Sequence, residues 1–321
     1  MELRWNPLLD TYTMVATNRQ HRPNLEKGYC AFCPGPGKNL PADFEVLAYA
    51  NDFPVLTQQP ETPVTTGFEI FKNKAAYGKC EVILYSPDHQ KQLYDLSDSH
   101  LLKLVELWTE RFTELQRDKK IKYIFEFENR GEEVGVTMHH PHGQLYAYSW
   151  IPAKIKSELE ACKKYFKSNG TNVFSDLNAA EKKHEKRVVF ENDSFLAYIP
   201  YFTDYPFGVF VVSKNNRQDF TQFTLQEKRD LAEALKKIIY GFDHVYDRLF
   251  PYMMCIHQRP VNSVAFKQTE DYYRFHIEFY PPLRDRNKIK WYSGSEMGAG
   301  AAANPLDVDE CAALLRQAMG R

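Results

Sequence analysis

Residues 80–89, CEVILYSPDH, read as a strand, and the amphipathic stretch 97–116 and the run YIFEFENRG at 123–131 follow it. The order returns later in the chain: FGVFVVSKNN at 207–216, an amphipathic stretch over 224–246, then YYRFHIEFYPP at 272–282. EVLAYANDFPVL (45–56) precedes the first set, and KRVVFENDSFLAYIP (186–200) precedes the second. Asn51, Ser86 and His140 thus answer to Asn192, Ser213 and His276. A period this long means a duplicated domain, not a solenoid. Leu101, Leu104, Val105, Trp108, Phe112 and Leu115 recur at steps of three and four, which is one apolar helix face. Thr224 and Glu227 open the second helix with a capping-box pattern. The flanking runs are rich in Val, Ile, Tyr and Phe and are punctuated by Gly, Pro and Asn, so they read as strands. With one long helix per half, the expected class is antiparallel α+β. The expected boundaries are a first unit over 1–155, a Lys- and Glu-rich helix and linker over 156–185, and a second unit over 186–321.

Composition narrows the function. The chain has 321 residues, room for about two domains. Its 41 basic and 42 acidic side chains give a net charge of −1, which excludes a bulk nucleic-acid binder. No window holds the ~18 apolar residues of a membrane span, and no basic-then-apolar leader opens the chain, so the cytoplasm is expected. There is no G-x-G-x-x-G. In a reducing compartment, a close pair among the six cysteines reads as metal or redox chemistry.

The run TMHHPHGQLYAY (137–148) is the most telling for chemistry. In an extended segment His140, His142 and Gln144 fall on one face. A neutral imidazole is a competent nucleophile toward phosphorus. The Gln144 carboxamide can donate to a phosphoryl oxygen without moving a proton, which favours holding a nucleotidyl-histidine over hydrolysing it. The other reading is a His-rich turn. Cys30 and Cys33 offer two thiolates of a tetrahedral zinc site, with His89 and His140 available to complete it; the alternative is a redox pair, for which the βαβ context is absent. Zinc there would pin His140 and so hold His142 in attack geometry. Glu158, His257, His276 and Glu278 form a further set, suited to Zn or Fe(II) or equally to structural ion pairing. Arg19 with Arg22, and Lys290, are candidate phosphate binders or plain surface charges. Asn51 with Phe53, and Phe127 with Asn129, can frame a nucleoside or can be a turn and a core strand.

The ordered set Arg19…Arg22-Pro23, Cys30-x-x-Cys33, Asn51-Asp52-Phe53, Ser86-Pro87-Asp88-His89, Phe127-Glu128-Asn129-x-Gly131, His140-Pro141-His142-Gly143-Gln144, Phe279-Tyr280-Pro281-Pro282 and Gly294-Ser295-Glu296 resembles the galactose-1-phosphate uridylyltransferase family. That family is the transferase branch of the histidine-triad superfamily. The resemblance implies two tandem histidine-triad-like domains, each an antiparallel sheet with packed helices. It implies ping-pong transfer of UMP from UDP-glucose to galactose-1-phosphate through a uridylyl-histidine. His142 matches the nucleophile and Gln144 the glutamine that hydrogen-bonds the transferred phosphoryl group. Cys30, Cys33, His89 and His140 match the zinc ligands. Arg19, Arg22, Asn51, Phe53, Phe127, Asn129 and Thr137 match nucleotide- and phosphate-binding positions. Lys290 and Glu296 match substrate contacts that come from the partner subunit of a homodimer. Glu158, His257, His276 and Glu278 match a second metal site, with Glu278 in place of the family's last histidine. Ser295 stands where members place a tyrosine, and 298–303 lacks their hexose-recognising glutamine. The rival expectations are a related phosphorylase or transferase acting on another sugar nucleotide such as ADP-glucose, and a non-catalytic zinc protein that binds nucleotides.

Overall fold

A computed structural model describes residues 1–21, 29–35, 40–41 and 43–320. The first half contains β1 (Glu2–Asn6), β2 (Thr11–Val15), β3 (Leu47–Ala50), β4 (Asn73–Ala75), β5 (Gly78–Leu84), α1 (Asp98–Leu115), β6 (Tyr123–Arg130) and β7 (His142–Tyr148). Two helices, α2 (Ala153–Asn169) and α3 (Val173–His184), lead into the second half. That half contains β8 (Val188–Glu191), β9 (Phe195–Tyr198), β10 (Phe210–Ser213), α4 (Leu225–Val245), β11 (Tyr252–His257), β12 (His276–Tyr280) and α5 (Val308–Ala318). Among the described residues no helix is long and apolar enough to cross a membrane.

The fold is the expected α+β pair of antiparallel halves, and the two join into one sheet. Nine strands run in the order β3-β5-β7-β6-β11-β12-β10-β9-β8, with the seam at β6–β11, where Phe127 pairs with Cys255 and Asn129 with Met253. A small sheet, β2-β1-β4, stands apart from it. The ladder refines the internal repeat. In the first half Leu84 pairs with His142 and Val82 with Gln144. In the second, Val212 pairs with His276 and Phe210 with Glu278. His276 is therefore the counterpart of His142, not of His140 as the sequence spacing suggested, and Glu278 is the counterpart of Gln144.

Strand alternation divides the molecule into two faces. On one face Ile83, Ile124, Leu145 and Ala147 meet α1, α4 and α5 in the main core. The apolar stripe of α1 is buried there as its spacing predicts: Leu101, Leu104, Val105, Trp108, Phe112 and Leu115 are each at most 3% exposed. Each such side chain contributes about 1.5–3 kcal/mol of burial. Ser97 caps α1 by accepting from the His100 N–H, and the Thr224–Glu227 capping box forms as its sequence predicts. On the other face Cys80, Tyr123, Tyr146, Tyr148 and Val212 pack with Ile155, Leu159 and Cys162 of α2. His142 and Gln144 belong to this second face.

The helix-covered face carries two costly carboxyls, Glu126 and Glu128, of which Glu126 is the more perturbed. Glu126 is 1% exposed, and its Oε2 accepts from Gln258 Nε2 at 2.7 Å. Its Oε1 is buried with no hydrogen-bond partner. Burial pushes its pKa from 4.5 up to about 8. The folded chain thus holds the proton more tightly than the unfolded chain does. Stability is highest below the unfolded value of 4.5 and falls as pH rises toward 8. The loss by pH 7 is on the order of 3 kcal/mol. Glu126→Gln is expected to raise the melting temperature by several degrees at pH 8 and to leave it unchanged near pH 4.5, as thermal unfolding at the two pH values would show. An equal effect at both would exclude ionisation as the cause.

Candidate active site and metal centres

The strand β7 starts at His142, so the face predicted to hold three side chains holds two, His142 and Gln144. His140 precedes the strand, is 1% exposed, and turns toward a different cluster. Its Nε2 lies 2.7 Å from the Ser86 carbonyl. A carbonyl only accepts, so Nε2 carries the proton and Nδ1 the lone pair. That Nδ1 is 3.6 Å from Cys33 Sγ, and His89 Nδ1 is 3.4 Å from the same sulfur. Ligand atoms of Cys30, Cys33, His89 and His140 all lie within 4.8 Å of one another. A tetrahedral ion with bonds of about 2.3 Å to sulfur and about 2.05 Å to nitrogen separates those atoms by about 3.5 Å. The observed S···N distances match, and the Ser86 carbonyl supplies the outer partner that fixes the imidazole tautomer. The donor set therefore fits zinc.

The nucleophile candidate is oriented from this cluster. His142 Nδ1 lies 2.7 Å from the His140 carbonyl and donates to it. Its Nε2 then holds the lone pair. The Phe32 ring, between the two cysteines in sequence, lies 4.8 Å from the His142 ring. Gly143 follows, where a Cβ would come within 2.4 Å of Tyr85 Oη, so only glycine fits between His142 and Gln144. Tyr146 Oη lies 3.5 Å from Gln144 Oε1, which leaves the amide N–H groups as the donors for a ligand.

Arg19, Asn51, Phe53, His142 and Gln144 border one cavity of about 140 Å³. Asp52 of the Asn51-Asp52-Phe53 turn borders it as well, and sequence reading missed Ala31, Phe32, Tyr49, Val82 and Met138, which border it too. The signal was register: Tyr49, Val82, Gln144 and Phe127 form one transverse row across β3, β5, β7 and β6. Phe127 also packs edge-on against Tyr146 at 5.1 Å. Asn51 Oδ1 accepts from the Phe53 N–H at 2.9 Å, turning the chain after β3. Asn129 borders a smaller recess on the other side of His142. Thr137 is exposed, one residue before Met138, which borders both recesses. Arg22 lies outside the described residues. A wider groove of about 730 Å³ beside β1 and residues 61–73 includes none of the candidate residues.

Lys290 and Glu296 come together elsewhere. Lys290 Nζ is 3.5 Å from Glu296 Oε1 and 4.3 Å from the Tyr292 ring centre, and it is 8% exposed. Neither residue borders the His142 cavity.

Glu158, His257, His276 and Glu278 converge as well, with ligand atoms within 4.8 Å of one another. Helix α2 supplies Glu158, β11 supplies His257, and β12 supplies His276 and Glu278 from one face. His257 Nδ1 lies 2.8 Å from Glu158 Oε2. His276 Nδ1 is 2.9 Å from the Arg274 carbonyl and donates to it. Its Nε2 faces Glu158 Oε1 at 3.5 Å and Glu278 Oε1 at 3.4 Å. A lone pair and two carboxylate oxygens meeting in a buried place require positive charge among them, borne by the ring or by an ion. Burial alone would raise both carboxyls, but His257 and its neighbours outweigh it and hold Glu158 and Glu278 low. Burial would lower His276, but Glu158 and Glu278 outweigh it and raise the ring. Apart from the 2.8 Å contact of His257 Nδ1 with Glu158, the spacings, including His257 Nε2 to Glu278 Oε2 at 3.5 Å, match the edge of about 3.4 Å of a tetrahedral N/O site. These residues fit a divalent cation.

Two antiparallel halves in one sheet, with a cysteine–histidine cluster beside a histidine at a strand start, define a duplicated α+β protein with a candidate reaction centre. The family models for galactose-1-phosphate uridyl transferase match both halves, the N-terminal domain at residues 2–152 and the C-terminal domain at 158–318. The chain belongs to the galactose-1-phosphate uridylyltransferase family. It is 35% identical to galactose-1-phosphate uridylyltransferase of Thermotoga maritima, over 99% of this chain and 98% of that one. It is 32% identical to the Saccharomyces cerevisiae enzyme of the same name, over 99% and 94%. A solved uridylyltransferase structure superposes with a TM-score of 0.88 at 30% identity, over 100% of this chain and 99% of that one. An ADP-glucose phosphorylase from Arabidopsis thaliana shares the fold at TM-score 0.74 and 21% identity, over 99% of each chain.

Proposed function

We propose that the chain transfers UMP from UDP-glucose to galactose-1-phosphate through a covalent bond on His142 Nε2. One observation carries the reading: His142 Nδ1–H donates to the His140 carbonyl, which puts the ring's lone pair on Nε2 of a side chain that borders the cavity with Gln144. Nε2 attacks the α-phosphorus of UDP-glucose. The bond from that phosphorus to glucose-1-phosphate breaks, and the uridylyl group stays on nitrogen. A phosphate oxygen of galactose-1-phosphate then attacks the same phosphorus, the N–P bond breaks, and UDP-galactose leaves with the ring neutral again. No proton is gained or lost over the cycle. Sugar phosphates are good leaving groups, so positioning and electrostatic stabilisation dominate. Arg19, on the cavity wall, would meet the phosphates, and Arg22, which lies outside the described residues, would act with it. Asn51, Phe53, Phe127, Asn129 and Thr137 hold the nucleoside and the phosphoryl group.

Cys30, Cys33, His89 and His140 would hold zinc, which supplies a rigid tetrahedral anchor for the turn that orients His142. Glu158, His257, His276 and Glu278 would hold a second ion, Zn or Fe(II). Lys290 and Glu296, remote from His142 within one chain, act in a homodimer across the subunit boundary. The reacting unit spans 1–155, the connecting helices 156–185 and the supporting unit 186–321, with the cytoplasm as the place of work.

The test is incubation with UDP-glucose labelled in its α-phosphate, without acceptor, followed by peptide mapping. The expected result is an acid-labile adduct on the peptide carrying His142, discharged by galactose-1-phosphate. Labelling from ADP-glucose in preference to UDP-glucose would instead identify another sugar-nucleotide enzyme, and no adduct despite turnover would end the covalent reading. Gln144→His places a proton donor beside the phosphoryl group. It is expected to raise hydrolysis relative to transfer by roughly tenfold or more, measured as the ratio of UMP to UDP-galactose formed.

A further inference from the structure

We propose that Lys154 controls the cation affinity of the Glu158–His257–His276–Glu278 cluster by engaging one oxygen of Glu278 and placing a like charge at the mouth of the site. This rests on the reading that the cluster binds a second cation. Where the family has a third imidazole, this chain has Glu278, which brings an additional negative charge into a buried place. The structure shows what meets it. Lys154, in the first turn of α2, has its Nζ 3.0 Å from Glu278 Oε2. The same ammonium sits 4.5 Å from the Tyr280 ring centre and also donates to the Tyr280 hydroxyl. Glu278 Oε1, the other oxygen, faces His276 Nε2 at 3.4 Å. Oε1 thus faces the cluster alone, whereas Oε2 is shared between the ammonium at 3.0 Å and His257 Nε2 at 3.5 Å. The ammonium competes for Oε2 and so leaves Oε1 as the stronger donor to an ion, and its charge repels a divalent ion bound behind the carboxylate.

Two properties follow. With the ammonium in place, one of the two carboxylate charges is offset, so the cluster has less need of an ion. With the ammonium removed, Glu278 can offer both oxygens, which suits hard ions that take more than four oxygen and nitrogen ligands, such as Mn²⁺. The Lys154 side chain is 64% exposed, so water screens its charge and its influence is moderate.

The test uses the full chain, stripped of metal and reloaded with one equivalent of Zn²⁺ to fill the softer Cys30–Cys33 cluster. Mn²⁺ is then titrated and the free ion followed by electron paramagnetic resonance. Lys154→Met is expected to bind Mn²⁺ on the order of tenfold more tightly than the parent chain, the effect of removing one partly screened like charge a few ångströms away. Lys154→Arg keeps the charge and is expected to stay within about twofold of the parent. Glu158→Gln combined with Glu278→Gln is expected to abolish the binding. Unchanged or weaker affinity in Lys154→Met would overturn the role of Lys154. Failure of every chain to bind Mn²⁺, or binding that survives loss of both carboxylates, would instead overturn the second cation site itself.

Discussion

His142→Gly is expected to abolish UMP transfer, by about four orders of magnitude or more, with the fold retained. The expectation rests on the absence of a substitute. Gln144, the other polar group on the same strand face, has no basic lone pair. His140 is buried with Nε2 on the Ser86 carbonyl and Nδ1 toward Cys33. Removing a covalent nucleophile leaves only binding and electrostatic stabilisation, which do not make the bond. The strand itself does not need the ring, because residue 142 pairs with Leu84 through the backbone and stands at the strand end. Steady-state turnover and intact mass after exposure to UDP-glucose check both parts. Retained turnover, or a nucleotide-sized mass increment on the variant, would remove His142 from its role.

Cys33→Ser is expected to cost the second-largest amount. Its sulfur lies next to both His89 and His140, so its loss opens two edges of the cluster. Structural zinc sites contribute on the order of 10 kcal/mol to the folding of small domains, although a large core dilutes that dependence here. The expected outcome is one metal ion fewer per chain, a melting temperature lower by about ten degrees and turnover reduced by at least a hundredfold. The reason lies in three linked contacts: the cluster fixes the His140 ring, the ring fixes its own carbonyl, and that carbonyl fixes the tautomer of His142. Metal analysis beside turnover checks it. A variant that loses the ion but keeps full turnover would show that the carbonyl is held by the Ser86 contact and the surrounding chain alone.

Much of this was legible in the sequence because it depends on short range. The α1 stripe and the Thr224 cap are local patterns with fixed physical meaning, and both form. The partners of Cys30 and Cys33 could be proposed because few imidazoles accompany strand ends. What stayed hidden depends on pairing between distant strands. Val82 and Tyr49 look like ordinary strand residues until the ladder sets them beside Gln144. His140 was expected on the strand face, yet the strand begins two residues later, and the displacement is what gives His140 to the metal cluster and its carbonyl to His142. The repeat was visible, but its phase was not, since only hydrogen-bond register equates His276 with His142. The small sheet β2-β1-β4 and helix α5 carry no long periodic signal, and the sequence reading did not anticipate them.

The seam between β6 and β11 has a consequence for how such a protein can be divided. The second half supplies the neighbour strand on which the first half closes, and its removal would bare the edge of β6 next to the reactive strand. Neither half can therefore be cut away without exposing the strand edge that the other covers, so a truncated first half is expected to self-associate.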